Sequence, residues 1–209
     1  MKAGNGSKMP SSLSEGSAMI KRSYEIKAQK WAYDTMVKAG VPIRPDEESK
    51  IAIVDFGLNQ FEKEGMHLFT LAHTSRYAVK ALAHKPWQTE PEHWHPPVGD
   101  DPGKQETVRV LWGTCYFFLP LAEGQQSSIT GRIPDGKDSV YTCAKELIMN
   151  PGDQITLDPG VKHWFQGGPD GAVIYTFSST ARDTLDGFTD PAVRRVTEYI
   201  DDSKENEHV

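Results

Sequence analysis

The stretch Glu92-His93-Trp94-His95-Pro96-Pro97-Val98-Gly99-Asp100-Asp101-Pro102-Gly103-Lys104-Gln105-Glu106-Thr107-Val108-Arg109-Val110-Leu111-Trp112-Gly113 decides how this chain folds. His93 and His95 are two residues apart, and on a strand, where successive side chains alternate between faces, both imidazoles point the same way. After a turn rich in Pro, Gly and Asp, Glu106 opens a second apolar run that can return a carboxylate to the same point. Further on, His163 ends the stretch Pro151-Gly152-Asp153-Gln154-Ile155-Thr156-Leu157-Asp158-Pro159-Gly160-Val161-Lys162-His163 and offers a third imidazole. Three His and one Glu suit a borderline divalent ion such as Mn, Fe, Ni, Co or Zn and leave positions open for a ligand on an octahedral metal. Glu92 alternates to the face opposite His93, which argues against it as a ligand.

Around this centre the chain reads as short β runs divided by turn residues: Met66 to Ala72, Arg76 to His84, Thr89 to His95, Gln105 to Phe118, Val140 to Met149, Gln154 to Leu157, Val161 to Gln166 and Ala172 to Ser178. Gly167-Gly168-Pro169-Asp170-Gly171 reads as a break between the last two. Short strands with no helix between them predict an antiparallel sandwich or small barrel, which buries one face of every strand. Ahead of the barrel, Tyr24, Ala28, Trp31, Ala32, Thr35, Met36 and Ala39 recur at three- and four-residue steps and are followed by Gly40 and Pro42, so Ile20 to Ala39 is expected to be an amphipathic helix. A short helical or turn element follows at Pro45 to Lys50. The spacing of Val193, Val196, Tyr199 and Ile200 predicts a closing helix over Pro191 to Ile200. The expected organisation is a flexible tail over 1–19, a helical extension over 20–54, a barrel domain over 55–200 and a flexible tail over 201–209.

The motif spacings resemble those of the cupin superfamily: His-x-His, then Glu106 followed by six residues and Gly113, then Gly152, a Pro, Gly160 and His163. The gap from His95 to Glu106 is longer than usual, Pro159 sits one place late, and Gly167 stands where many cupins have Asn. The fold this implies is an all-β cupin, a double-stranded β-helix or jelly-roll-like barrel, with an N-terminal helical extension and a short C-terminal helix. More closely, Glu92-His93-Trp94-His95-Pro96-Pro97, Gly103-Lys104-Gln105-Glu106-Thr107, Lys162-His163-Trp164-Phe165-Gln166 and Phe188-Thr189-Asp190-Pro191 resemble the D-lyxose isomerase family. That resemblance implies a manganese-dependent ketol-isomerase that interconverts D-lyxose and D-xylulose, and often D-mannose and D-fructose, with His93, His95, Glu106 and His163 as metal ligands.

Moving a proton between the first two carbons of a sugar through a metal-stabilised enediolate needs a base and a group that shuttles the hydroxyl proton. Lys104, two residues before Glu106, alternates into the same cavity, where a buried ammonium beside a metal cation would have a depressed pKa. Lys80 shares a strand face with Leu82 and is the second candidate, the alternative being a surface lysine. Relatives carry a Glu in the last barrel strand where this chain has Thr176, so Asp183 and Asp186 also enter as possible bases. Trp94, Trp112, Trp164 and Phe165 read as packing around the ligands in preference to sugar platforms. His67, His73, His84 and His208 lack a partner pattern and read as structural or exposed.

Lys plus Arg is 23 against 29 for Asp plus Glu, a net charge of −6, and no basic block stands out, so nucleic acid and anionic membrane are not expected partners. No apolar run approaches a membrane span and the first residues form no secretory signal, so a cytoplasmic protein is expected. Cys115 and Cys143 lie in apolar segments and read as reduced core thiols. A homodimer is expected because association hides sheet edges. Two other readings fit the ligand set: an Fe(II) cupin dioxygenase, and a sugar-binding cupin without turnover.

Overall fold

The computed structural model describes residues 19–202; the expected tails lie outside them except at 19, 201 and 202. The elements are β1 (Ile20–Lys21), α1 (Arg22–Lys38), a 3-10 helix (Pro45–Lys50), β2 (Ala52–Val54), β3 (Met66–His73), β4 (Tyr77–His84), β5 (Thr89–Trp94), β6 (Glu106–Leu119), β7 (Lys145–Met149), β8 (Gln154–Leu157), β9 (His163–Ser179), a 3-10 turn (Asp183–Leu185), β10 (Gly187–Phe188) and β11 (Tyr199–Ile200).

Two long strands organise the sheet. β9 pairs antiparallel with β6 from Glu106↔Ser178 to Phe118↔Trp164. On its other side it pairs with β4 between Tyr77↔Ser179 and His84↔Ala172, and with β5 between Thr89↔Gln166 and His93↔His163. β6 likewise takes β8 along its first part and β7 along its last. Each long strand therefore serves two layers, and the sheet curls over on itself into a barrel, as the cupin resemblance implies. Met66, Leu82, Val108, Val110 and Ile174 from one layer pack with Cys115, Phe117, Met149 and Phe165 from the other. Removing each large apolar side chain from water contributes roughly 1.5–3 kcal/mol.

The expected break at Gly167-Gly168-Pro169-Asp170-Gly171 is absent, since β9 runs through it. Those residues make a corner instead. Gly113 and Gly171 have φ of +73° and +89°, and a Cβ on Gly113 would lie 2.1 Å from the Gly171 carbonyl oxygen. With register shifts between Val110 and Trp112 and between Gly113 and Cys115, the paired strands bend together while the chain continues.

α1 matches its sequence signal: Ala28, Ala32 and Met36, four residues apart, are its buried positions. Ala32 and Met36 cover the outer sheet face over Phe69, Ala81, Ala83 and Val173. The closing helix over Pro191 to Ile200 is not formed. There the backbone is claimed by distant partners: Arg194 N donates to the Phe56 carbonyl at 2.7 Å, Ile20 N donates to the Glu198 carbonyl, and Tyr199–Ile200 pairs parallel with Ile20–Lys21. Val196 and Ile200 of the apolar spacing are exposed, so a helix would gain no burial from them. The strand expected from Val140 starts at Lys145, because the Thr142 and Cys143 amides donate to the Glu92 carboxylate.

Gly113→Ala is expected to lower the unfolding free energy by about 2 kcal/mol or more, since it imposes both a left-handed φ and a backbone clash. Urea unfolding checks this, and a change below about 0.5 kcal/mol, the scatter of neutral surface substitutions, would contradict it.

Candidate metal centre and its pocket

His93 lies near the end of β5 and His95 just after it, Glu106 opens β6, and His163 opens β9. One donor atom from each of His93, His95, Glu106 and His163 lies within 4.8 Å of the others, and all four residues are buried. The rings are aimed by their other nitrogens. His93 Nδ1 donates to the Pro91 carbonyl at 2.9 Å, His163 Nδ1 to the Val161 carbonyl at 2.9 Å, and His95 Nδ1 to Asp186 Oδ1 at 2.8 Å. A carbonyl only accepts, so in neutral His93 and His163 the proton sits on Nδ1 and Nε2 keeps its lone pair. Burial lowers both imidazoles, His163 to about 4 and His93 well below its ordinary value, which keeps them neutral. Phe117 stacks on His163, with ring centroids 5.7 Å apart.

Burial is the largest influence on each of the remaining charged groups, and partners outweigh it. Burial raises Glu106, yet Lys104, His95 and His163 hold its carboxyl well below the usual range. Burial lowers His95, yet Asp186 and Glu106 leave it raised, with His95 Nε2 3.2 Å from Glu106 Oε2. The cluster fits a divalent cation on these observations: neutral imidazole lone pairs and an ionised carboxylate converge in a dry site, and His163 Nε2 has no hydrogen-bond partner.

Lys104 and Lys80 both face this pocket. Lys104 Nζ is 3.1 Å from Glu106 Oε1, and Lys80, on the inner face of β4 with Leu82, donates to Asp183. The surface alternative for Lys80 is thereby excluded. The depressed pKa anticipated for Lys104 does not arise from the protein's own groups: burial lowers it, but Glu106, Asp186 and Asp183 together outweigh burial and raise it. Asp183 and Asp186 leave the category of ordinary loop residues, the first paired with Lys80 and the second orienting His95. Thr176 is buried and lines the same pocket. Glu92 is turned away as expected, its carboxylate accepting from Thr142, Cys143 and Thr189. Trp164 stacks on Phe118 and Trp112 packs beneath α1, both serving structure, while Phe165 lines the pocket.

Two pocket residues escaped sequence reading, Glu90 and Arg195. Simple alternation places Glu90 opposite His93. The register of β5 on β9, however, runs Glu90↔Phe165 then His93↔His163, three steps against two, and this bulge returns Glu90 to the inner face. Burial pushes its carboxyl up to about 7, Arg195 opposing and Glu106 adding to the rise. Glu90 Oε1 lies 3.7 Å from His93 Nε2, and Oε2 has no hydrogen-bond partner. Arg195 sits on the segment expected to be helical, so its inward direction had no sequence signal.

Outside the centre, His67 and His84 are fully buried, and burial lowers each to about 3. Burial also raises both thiols, Cys115 to about 12. Among the described residues no helix is long and apolar enough to cross a membrane.

A family model described as D-lyxose isomerase matches residues 24–209. The chain is 48% identical over 160 residues to the D-lyxose ketol-isomerase of Cohnella laeviribosi, covering 76% of this chain and 86% of that protein. It is 41% identical to the D-lyxose/D-mannose isomerase of Thermosediminibacter oceani, over 88% of this chain and 100% of the relative. Among solved structures, L-ribose isomerase of Cellulomonas parahominis superposes with a TM-score of 0.71 over 88% of this chain and 100% of that one, at 16% identity, a likeness of fold.

Calorimetric titration with Mn2+ is expected to find one site per chain, weakened about 100-fold or more in His163→Asn; an unchanged affinity would remove His163 from the centre. His67 and His84 stay neutral in the fold but take up protons once unfolded, below the ordinary value of 6.5. The stability they contribute is whole above pH 6.5 and lost progressively as the pH falls toward about 3. Measured by urea unfolding, the loss of stability between pH 7 and about pH 4.5 should shrink by about 2–3 kcal/mol in His84→Leu, and an equal loss in both proteins would contradict this.

Proposed function

The chain belongs to the D-lyxose isomerase family, and from that membership we propose that it interconverts D-lyxose and D-xylulose, and accepts D-mannose and D-fructose, with Mn2+ as its metal. The observation that carries the reading is the meeting, in one buried pocket, of four metal donors with side chains able to hold or move protons. Bound by His93, His95, Glu106 and His163, a divalent ion supplies stabilisation for negative charge that develops on the two sugar oxygens during the proton transfer.

The chain's own groups divide the remaining work. Glu90 is the carboxylate best placed to take the carbon-bound proton, since it faces the pocket beside His93 with one oxygen uncommitted. Lys104, anchored on Glu106, is placed to exchange the hydroxyl proton, and Lys80 holds Asp183 against the same wall. Asp186 keeps the His95 ring aimed. Phe165, Leu82, Leu68 and Met66 exclude water around these groups, which strengthens every charge interaction inside.

Purified protein supplied with Mn2+ is expected to form ketose from D-lyxose and D-mannose and to stop when a chelator is added. Oxygen uptake without ketose would instead transfer the site to Fe(II) dioxygenase chemistry. Glu90→Gln and Lys104→Met should each lower kcat by about 10²–10⁴-fold, the range that a positioned acid or base supplies. Unchanged turnover in either variant removes that residue from the proton path.

A further inference from the structure

The segment 191–200 passes across the pocket and delivers one charged side chain into it, Arg195. The backbone there is fixed on both sides: Arg194 N donates to the Phe56 carbonyl, Asp55 N donates to Thr197 Oγ1 at 3.2 Å, and β11 pairs with β1. The guanidinium carbon stands 5.2 Å from the centroid of the Phe56 ring. Phe56 is fully buried with a φ of +56°, a conformation that a bulky residue adopts only where its surroundings impose it. A strained aromatic thus supports an arginine whose closest carboxylate contact is Asp183, at 3.9 Å. That distance is an ion pair and too long for a hydrogen bond, so the planar fork keeps donors free for a ligand.

Pocket charges step away from the metal donors in order: Glu106 to Lys104 at 3.1 Å, Lys104 to Asp183 at 3.9 Å, Asp183 to Arg195 at 3.9 Å. If the proposed isomerase reading holds, the first two carbons of an open-chain aldose sit at the donor cluster and the rest of the chain extends along this series. From this we infer that Arg195, opposed by Asp183, binds the distal hydroxyls of the sugar and sets the preference for configuration at the fourth carbon. D-lyxose and D-mannose share their configuration at the second, third and fourth carbons. L-ribose matches D-lyxose at the second and third and is inverted at the fourth. A fixed donor fork at that point admits the first two sugars together and disfavours the third, because a misdirected hydroxyl forfeits its hydrogen bond to the fork.

The test compares kcat/KM for D-lyxose and L-ribose in wild type, R195M and R195K, all loaded with Mn2+. Inhibition by D-arabinitol, the polyol with the carbon configuration of D-lyxose, reports binding without turnover. R195M should raise KM for D-lyxose and the D-arabinitol inhibition constant about 10-fold or more, and should shrink the lyxose-over-ribose ratio by a similar factor. R195K, which keeps the charge and loses the fork, should fall between; should R195M fail to fold, R195K must still shift the ratio. Mn2+ affinity should stay within about twofold in a folded variant, since Arg195 touches none of the four donors. A ratio unchanged in R195K, or in a folded R195M, overturns the assignment of Arg195 alone. A wild type that isomerises no aldose overturns the isomerase reading and this inference with it.

Discussion

Everything at this site depends on three imidazoles that cannot turn. His93, His95 and His163 each commit Nδ1 to an acceptor of the protein, the first and last to carbonyls two residues upstream and the second to Asp186. Their Nε2 atoms therefore converge with the Glu106 carboxylate in a space from which water is excluded. Buried lone pairs facing one another are costly unless something positive lies between them. In the protein alone, His95 and Lys104 balance Glu106, and His163 Nε2 goes without a partner. A divalent cation would satisfy all four donors together, and ring orientation as much as ligand identity would hold it there.

That orientation is available because two strands are long and bent. β6 and β9 each pass from one layer of the barrel to the other, and the closely packed Gly113 and Gly171 let both turn the corner with their pairing resumed beyond it. The ligands lie at or close to strand ends, where the backbone can turn its side chains inward while the apolar core holds the strands. The bulge in β5 has a second consequence, bringing Glu90 to the same face as His93. The N-terminal extension contributes from a distance: β1 holds β11, and with Phe56 it fixes the segment that carries Arg195.

The convergence of His93, His95, Glu106 and His163, the helix α1 and most strand positions were legible in the sequence from motif spacing and local periodicity. His93 and His95 follow the two-residue alternation, and Ala28, Ala32 and Met36 follow the four-residue helical step. The misreadings share one cause, which is long-range hydrogen bonding that no local pattern records. Gly167 to Gly171 looks like a turn between strands, yet it is a bulged corner inside β9, with β4, β5 and β6 pairing the residues on either side of it. Pro191 to Ile200 has helical spacing, yet Phe56 and Ile20 claim its backbone. Glu90 was invisible because a one-residue bulge inverts the parity on which the inward assignment of His93 was based. Among the protein's own groups, Asp183 and Asp186, distant in sequence, add their charge to that of Glu106 and raise Lys104, a contribution that no local pattern records.

The central claim is that one divalent ion is held by His93, His95, Glu106 and His163. Anomalous diffraction from a crystal soaked in Mn2+, collected at the manganese edge, tests it most directly. A single strong peak is expected within about 2.0–2.3 Å of the three Nε2 atoms and a Glu106 oxygen, the range for first-row metals with these donors. No peak at that point, or a peak coordinated by other residues, would contradict the claim.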